Sequence, residues 1–347
     1  MASQELSDRE RSVLEAVIRS FVETAEPAGS RTLSRQFGLG VSAATIRNTM
    51  SDLEEKGLLY HPHTSAGRVP TDRAYRIYVE SLMRAGPKTF PEQNRLAQQI
   101  NSGDSAIEAI LRRAAQSLGV LTQELGIALG PQLDQASLHR LELVRLSADR
   151  LLLVLTLDGG AVRTVFVEVD GQMADESIAE VARVLNERLA GQSVRDLRAS
   201  MGARLRDVSA SKGASELLNI FLQEGDHLID RSLGTTGEHV VLGSASVLAE
   251  HPEFQTGQGL RRLLELTETR EHLADVLRNR GERPGLTITI GGEHGDPRLE
   301  NLTVVTASYR AGSLSGVIGV IGPTRMPYDK VISLVSHTSQ LVSELLD

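Results

Sequence analysis

Residues 29–79 read GSRTLSRQFGLGVSAATIRNTMSDLEEKGLLYHPHTSAGRVPTDRAYRIYV and indicate the fold of the amino-terminal part of the chain. Helical spacing broken by glycines predicts two helices joined by a tight turn. A β-hairpin follows, because two short apolar runs flank a tip rich in Pro, Thr, Ser and Gly. This order is a helix-turn-helix with a wing, which places one helix in a DNA major groove and the hairpin against the adjoining backbone. The predicted elements are, in order, a helix over 30–37, a turn over 38–40, a helix from 42 to about 56, and strands at 58–60 and 68–69.

The second of these helices contains the candidate DNA-reading residues. Its core side is predicted from apolar spacing to hold Ile46, Thr49, Met50 and Leu53. The other side offers small and polar residues near the helix start. Arg can pair bidentately with guanine and Asn with adenine, Ala can touch a thymine methyl, and Ser can reach a base or a phosphate. The predicted base-reading set is Ser42, Ala44, Arg47, Asn48 and Ser51.

Other residues of the segment are expected to hold the protein on the DNA backbone. Arg31 and Arg35 lie one turn apart on the first helix, with solvated surface arginines as the alternative interpretation. Arg68 is the best wing candidate for phosphate or minor-groove contact. His61 and His63 have no carboxylate pair nearby and make a poor metal-ligand set, so we expect no metal. The predicted backbone and wing set is Arg31, Arg35, His63, Thr64, Ser65 and Arg68.

The charge distribution supports a DNA contact in this segment. The chain has a formal net charge of −8, yet residues 1–86 contain eleven basic and eleven acidic residues and are neutral. No Asp or Glu lies between Pro27 and Ser51, so the positive charge is concentrated at the predicted helix-turn-helix, as phosphate contact requires. The acidic remainder should repel DNA and confine contact to the amino-terminal part.

Composition excludes several other classes of protein. The 347 residues include no cysteine, which rules out disulfides, thiol catalysis and thiolate zinc sites and fits a cytoplasmic protein. The first residues, MASQELSDRE, lack the apolar core of a signal peptide, and the apolar runs are too short to span a membrane. The glycine-rich segment 316–322 lacks the Lys-Ser/Thr of a P-loop, and no G-x-S-x-G elbow is present. We therefore expect neither an enzyme nor a cofactor.

The rest of the chain reads as an α+β multidomain protein. Residues 87–103 resemble a linker with a short polar helix, and Ser105-x-x-Glu108 is a capping box that opens a long helix. Strands are predicted at 138–146, 151–157 and 162–169, and a mostly helical block over 171–257 separates them from later strands and a closing helix. This order suggests one α/β sensor-like domain with an insertion. The cluster Gly291-Gly292-Glu293-His294-Gly295-Asp296 is either a ligand loop or a glycine turn leaving a strand, and the turn is favoured.

Four patches resemble the HrcA family of bacterial heat-inducible repressors. They are residues 41–50, residues 62–73, Gly291-Gly292-Glu293, and residues 319–326. The resemblance implies a winged-helix domain at 1–86, a linker at 87–103, a GAF-like domain at 104–170 and 258–347, and an inserted dimerising domain at 171–257. It also implies repression of chaperone operons through an inverted-repeat operator on double-stranded DNA, with the GroE chaperonin assisting the active fold.

Three functions remain open on the sequence. The first is a homodimeric repressor that heat releases through loss of its active fold. The second is a repressor that responds to a small effector bound in the GAF-like domain. The third is an RNA-binding or architectural winged-helix protein, against which the base-reading residue types of the second helix count.

Overall fold

A computed structural model describes residues 6–63, 66–86, 88–101, 107–131, 133–158, 161–169, 171, 173–208, 210–233, 240–281, 284–312 and 314–346. The fold is mixed α/β. The helices are α1 Asp8–Thr24, α2 Ser30–Gln36, α3 Ala43–Glu55, α4 Asp72–Ala85, α5 Glu92–Asn101, α6 Ile107–Thr122, α7 Asp175–Leu189, α8 Val194–Leu205, α9 Lys212–Leu233, α10 Ser246–Ala249, α11 Gly257–Glu268, α12 Arg270–Gly281 and α13 Tyr328–Leu346. The strands are β1 Leu59–Tyr60, β2 Val69–Pro70, β3 Leu125–Leu129, β4 Leu138–Arg145, β5 Arg150–Leu157, β6 Val162–Glu168, β7 Val240–Leu242, β8 Leu286–Ile290, β9 Leu302–Ala311 and β10 Leu314–Pro323.

The N-terminal module, residues 6–86, contains α1 to α4 and the β1–β2 hairpin. Local sequence signals explain its helix starts: Ser7 and Glu10 form a reciprocal capping box, and the Ser42 hydroxyl accepts a hydrogen bond from the Thr45 amide. Gly38 and Gly40 have φ of +54° and +67°, a backbone region that glycine enters at little cost, so the chain turns sharply between α2 and α3. The predicted order of two helices, a glycine turn and a hairpin is confirmed here.

The α/β domain, residues 88–131 and 240–346, is built on a five-stranded antiparallel sheet in the order β7-β3-β10-β9-β8. Helices α6 and α13 pack on one face with α5 against them, while α12 packs on the other face with α11 beside it. Burial on both faces explains why β9 and β10 are apolar along most of their length.

The inserted unit, residues 133–233, differs from the predicted domain boundaries. Strands β4, β5 and β6 pair with one another in a separate antiparallel sheet, and they form one core with α7, α8 and α9. The predicted boundary at residue 171 falls inside this unit, and β7, predicted within the helical block, joins the five-stranded sheet instead. Alternating side chains reveal a strand, but they do not specify which sheet the strand joins. The sequence also predicts one apolar strand near His239 to Leu242 within that block; β7 is this strand, and His239 lies outside the described residues.

The short polar helix predicted within residues 87–103 is confirmed as α5, but the segment is packed on the α/β domain and is not a free linker. Helix α5 buries Leu96 and Ile100 completely against the α/β domain, and the Lys88 amide donates to the Ser333 hydroxyl at 3.0 Å. Polar contacts hold the helix as well: Lys330 pairs with Glu92 at 3.0 Å, and Arg113 donates to the Ile100 carbonyl at 3.1 Å. The predicted capping serine, Ser105, lies outside the described residues.

Helix α4 joins the N-terminal module to the α/β domain. The rings of Tyr75 and Tyr78 contact the ring of Tyr328 on α13, with centroids 5.7 and 6.5 Å apart. Next to Tyr75 in the chain, the Arg76 guanidinium donates to both carboxylate oxygens of Glu293 and, at 2.8 Å, to the carbonyl of Ile288. Helix α4 therefore joins the two parts through both aromatic packing and an ion pair.

The glycine turn predicted at residue 291 is confirmed, and α4 packs against it. Gly291 has φ of +50°, and a Cβ there would overlap the Asp72 carboxylate. The Gly292 amide donates to that carboxylate at 3.0 Å. Burial tends to raise the pKa of Glu293, but hydrogen bonds from Arg76 and the Ile290 amide lower it below its ordinary value. The ion pair is therefore charged at neutral pH.

Glu124 is a buried carboxyl group immediately before β3. It is 0% exposed, and neither oxygen has a hydrogen-bond partner among the described residues. His251 Nε2 lies 3.8 Å from one oxygen, and a Cβ at Gly322 would overlap the carboxyl group. Burial raises the pKa of Glu124 well above its ordinary value, and the positive charge of Arg325 only partly opposes this.

Replacing Glu124 by Gln should make stability less dependent on pH. The folded state keeps a proton on Glu124 that the unfolded chain releases at lower pH, so wild-type stability falls as pH rises from the ordinary Glu range toward the raised pKa. An amide cannot lose this proton. Between about pH 5 and 8 the unfolding temperature of E124Q should therefore decline less than that of the wild type.

Glu250→Gln is the matched control, because Glu250 is exposed and also close to His251 in the chain. Its unfolding temperature should follow that of the wild type at every pH. Parallel profiles for E124Q and the wild type would contradict a raised pKa.

Candidate nucleic-acid interface

An open groove lies between α2, the start of α3 and the base of the β1–β2 hairpin. Most of its lining residues are small, and three are arginines, so a polar, negatively charged surface can approach the backbone closely. Its lining residues are Ala28, Gly29, Ser30, Arg31, Ala43, Ala44, Arg47, Asn48, Met50, Ala66, Gly67 and Arg68.

Helix α3 is anchored by its apolar side. Ile46 and Leu53 are fully buried and Met50 nearly so, as the spacing predicted. The opposite side consequently exposes most of the predicted base-reading set: Ser42, Ala44, Arg47 and Asn48 are exposed, and Ser51 is half-buried. The Ser51 hydroxyl donates to the Arg47 carbonyl at 3.2 Å, whereas the Ser42 hydroxyl caps the helix.

Three arginines beside the groove are exposed and have no ion-pair partner among the residues that the structure describes: Arg31, Arg35 and Arg47. Other cations of the same segment are engaged within the protein. Lys56 pairs with Glu10 at 2.6 Å, Arg76 pairs with Glu293, and Arg73 donates to the Lys56 carbonyl at 3.4 Å. The free positive charge is therefore concentrated on α2 and the start of α3.

The hairpin is fixed to the rest of the module at its base. Ala28 and Arg68 exchange two backbone hydrogen bonds of 2.9 Å, and a Cβ at Gly67 would overlap the Ala28 carbonyl. His63 is exposed near the tip, while the predicted wing residues Thr64 and Ser65 lie outside the described residues.

The side chain of Arg68 does not lie free at the wing, contrary to the sequence-based expectation. It is 13% exposed, and its Nη2 lies 2.8 Å from Glu54 Oε2. Glu54 Oε1 also lies 2.6 Å from His61 Nδ1. Glu54 is absent from the residues predicted from the sequence, although its position seven residues after Arg47 places it on the same side of α3.

Among the described residues, no group of three His, Asp or Glu side chains is arranged to hold a metal ion. No helix in that part of the chain has the length and apolarity needed to cross a membrane.

Comparison with known proteins covers the whole chain. Proteins named heat-inducible transcription repressor HrcA match it closely: that of Chlorobium chlorochromatii (strain CaD3) is 36% identical, covering 100% of this chain and 99% of its own. That of Symbiobacterium thermophilum is 37% identical and covers 98% of both chains. A crystal structure of a hypothetical protein at 2.2 Å resolution superposes with a TM-score of 0.66 at 24% identity and covers 99% of both chains, which supports the fold alone.

Residues 108–332 match the family described as HrcA protein C terminal domain. Transcription repressors are regulators rather than enzymes. Because the family match spans more than half of the chain and the relatives align with it from end to end, this protein belongs to the HrcA family of heat-inducible transcription repressors.

Proposed function

We propose that this protein is a sequence-specific DNA-binding repressor of heat-shock chaperone operons. The observation that carries the proposal is the exposed, unpaired set of Arg31, Arg35 and Arg47 around the start of a firmly anchored helix. The names of the relatives support a heat-inducible repressor, and the family resemblance supports an inverted-repeat operator.

In this proposal the N-terminal module is a winged helix and α3 is its recognition helix. Helix α3 enters the major groove and reads base edges through its exposed side. Arg31 and Arg35 neutralise phosphates, and the hairpin tip with His63, Thr64 and Ser65 approaches the adjoining backbone. The base-reading residues are Ser42, Ala44, Arg47, Asn48 and Ser51.

Replacing Arg47 by Ala should relax sequence discrimination at one position of the operator. An operator can be obtained by selecting duplexes from a random-sequence pool with the wild-type protein. R47A should lose about 1–3 kcal/mol on that operator, because a bidentate contact to one base is removed. The measurement is affinity for the operator and for all its single-base variants.

Arg31→Ala is the matched control, since it removes the same charge from the neighbouring helix. It should weaken binding to operator and scrambled DNA alike and lower the salt slope by roughly one. If R47A behaves like R31A at every operator position, α3 does not read bases.

We propose that the inserted unit makes the protein a dimer, as a two-fold operator requires. The family resemblance implies that the block 171–257 is dimerising, but the apolar sides of its helices α7, α8 and α9 pack on the inner face of the β4–β5–β6 sheet. The outer face of that sheet is open. Val144, Leu152 and Phe166 are register partners across it, and Phe166 is 47% exposed.

The charges on this outer face favour a second copy of the chain. Arg150 and Glu168 are register partners at one end, and Arg140 pairs with Glu142 at the other. Two copies of a chain with net charge −8 repel each other, so a balanced face with an apolar centre is their most favourable place of contact.

Phe166→Glu should give a folded monomer, because it introduces a desolvated carboxylate at the centre of the proposed interface. Sedimentation should show the monomer mass, and operator affinity should fall by about tenfold or more through loss of bivalent binding. Leu264→Glu is the control, since Leu264 is also exposed but lies on α11. A dimeric F166E would exclude the sheet face.

We propose that heat acts by releasing the N-terminal module from its binding-competent position. The support is the polar part of the α4 contact: Arg76 with Glu293, and Asp72 with the Gly292 amide. A loss of roughly 3 kcal/mol on warming changes the competent fraction about a hundredfold. The GroE chaperonin would restore the competent fold, a role implied by the family resemblance. The assignment of the α/β domain as GAF-like is likewise implied by the family resemblance.

Glu293→Gln should lower the temperature at which the protein releases its operator. The change removes the charge of a half-buried ion pair, which we expect to cost about 1 kcal/mol after solvent screening. This corresponds to roughly 2 °C for a chain of this size. The measurement is operator binding by the purified dimer over a temperature ramp, with and without GroE.

Glu268→Gln serves as the control, because Glu268 is an exposed carboxylate at the end of α11 with no hydrogen bond or ion pair among the described residues. It should release the operator at the wild-type temperature. If E293Q does the same, the ion pair does not hold the module. Release that needs an added metabolite at every temperature would instead support the effector-responsive alternative.

A further inference from the structure

Glu54 is the carboxylate of α3 that contacts both arms of the hairpin. One oxygen lies 2.6 Å from His61 Nδ1, just after β1, and the other lies 2.8 Å from Arg68 Nη2, just before β2. The residue stands seven positions after Arg47 and three after Ser51, so it shares their side of the helix. A negative charge therefore lies in line with the proposed base-reading residues.

A carboxylate in that position opposes DNA binding unless a cation neutralises it. Coulomb repulsion from the phosphates acts on Glu54 in the same way as their attraction acts on Arg47. Arg68 supplies the compensating charge, and its surroundings keep its side chain in contact with Glu54. The Arg68 side chain is only 13% exposed, and its backbone is fixed to Ala28 by two hydrogen bonds of 2.9 Å.

The same contact fixes the distance between the recognition helix and the wing. A specific complex requires α3 and the hairpin to meet the groove and the adjoining backbone at the same time. Non-specific binding requires only positive charge near phosphates. A residue that links helix to hairpin while neutralising a cation should thus favour the specific complex over the non-specific one.

We propose that Glu54 is a positioning residue that sets the sequence discrimination of this protein by holding Arg68 and the hairpin on α3. This inference rests on the proposed DNA-binding function. It assigns Arg68 to the support of the wing, and it leaves phosphate contact to Arg31, Arg35 and the hairpin tip.

The test compares Glu54→Gln with Glu55→Gln, a neighbouring change that removes the same charge. Glu55 is exposed at the end of α3 and has no hydrogen bond or ion pair among the described residues. In E54Q the freed Arg68 should reach phosphate, so affinity for a scrambled duplex rises severalfold and its salt slope steepens by about one. The ratio of operator to scrambled affinity should fall by about tenfold. In E55Q the ratio should stay at the wild-type value.

Arg68→Gln gives a second test of the inference, and its result does not depend on how well E54Q folds. It should lower the same ratio without reducing the salt slope on scrambled DNA, because Arg68 does not bind phosphate in the wild type. Three results would overturn the inference: an unchanged ratio in E54Q, equal losses on both duplexes with an unchanged slope in E54Q, or a shallower slope in R68Q. If the wild type selects no sequence from a random pool, the proposed function itself fails.

Discussion

The contact of α4 with the turn at residues 291–293 is the constraint on which the rest of the structure depends. Helix α4 is the last helix of the N-terminal module. It also packs on α13 and β8 of the α/β domain. The contact needs a glycine at position 291, because the Asp72 carboxylate occupies the space of a Cβ. The groove that we propose to face DNA is therefore oriented by residues more than two hundred positions away in the chain.

A second contact restrains the same junction from the end of α1. Arg325 donates to the Val22 carbonyl at 3.1 Å and pairs with Glu253 at 2.6 Å. Residues 291–293 and 325 both belong to sequence patches that resemble the HrcA family, and both contact the N-terminal module. Since charge-assisted contacts and aromatic packing share this junction, partial loss of either should free the module while the sheet of the α/β domain remains folded.

An acidic protein that binds DNA must restrict its free cations to one surface. Here Lys56, Arg68 and Arg76 are neutralised by carboxylates within the protein, while Arg31, Arg35 and Arg47 remain exposed. A count of all basic residues along 27–79 therefore overstates the positive electrostatic potential at the surface that we propose to face DNA. What matters is which cations lack an internal partner, and this depends on the folded structure.

Local signals made much of the N-terminal module predictable. The Ser7 and Ser42 caps and the glycines before α3 act through neighbouring residues, so their effects can be read from short stretches of sequence. The exposed side of α3 follows from the spacing of its apolar residues. The operator itself and the role of the hairpin tip stay predictions.

Features that depend on distant pairing were not predictable. Strands β4 to β6 showed their alternation in the sequence, yet nothing local indicated that they form their own sheet with α7 to α9. Arg68 was expected at phosphate because its partner Glu54 is fourteen residues away. The turn at Gly291 was anticipated as a turn, whereas its contact with Asp72 could not be inferred from spacing.

The most direct test of this account is hydrogen exchange of the full-length protein on its selected operator, followed over a temperature ramp together with operator occupancy. The account predicts that amides of α4 and of residues 291–294 lose protection at the temperature at which the operator is released. Amides of β9 and β10 should still be protected at that point. Operator release while α4 stays protected, or release only when the five-stranded sheet also unfolds, would contradict it.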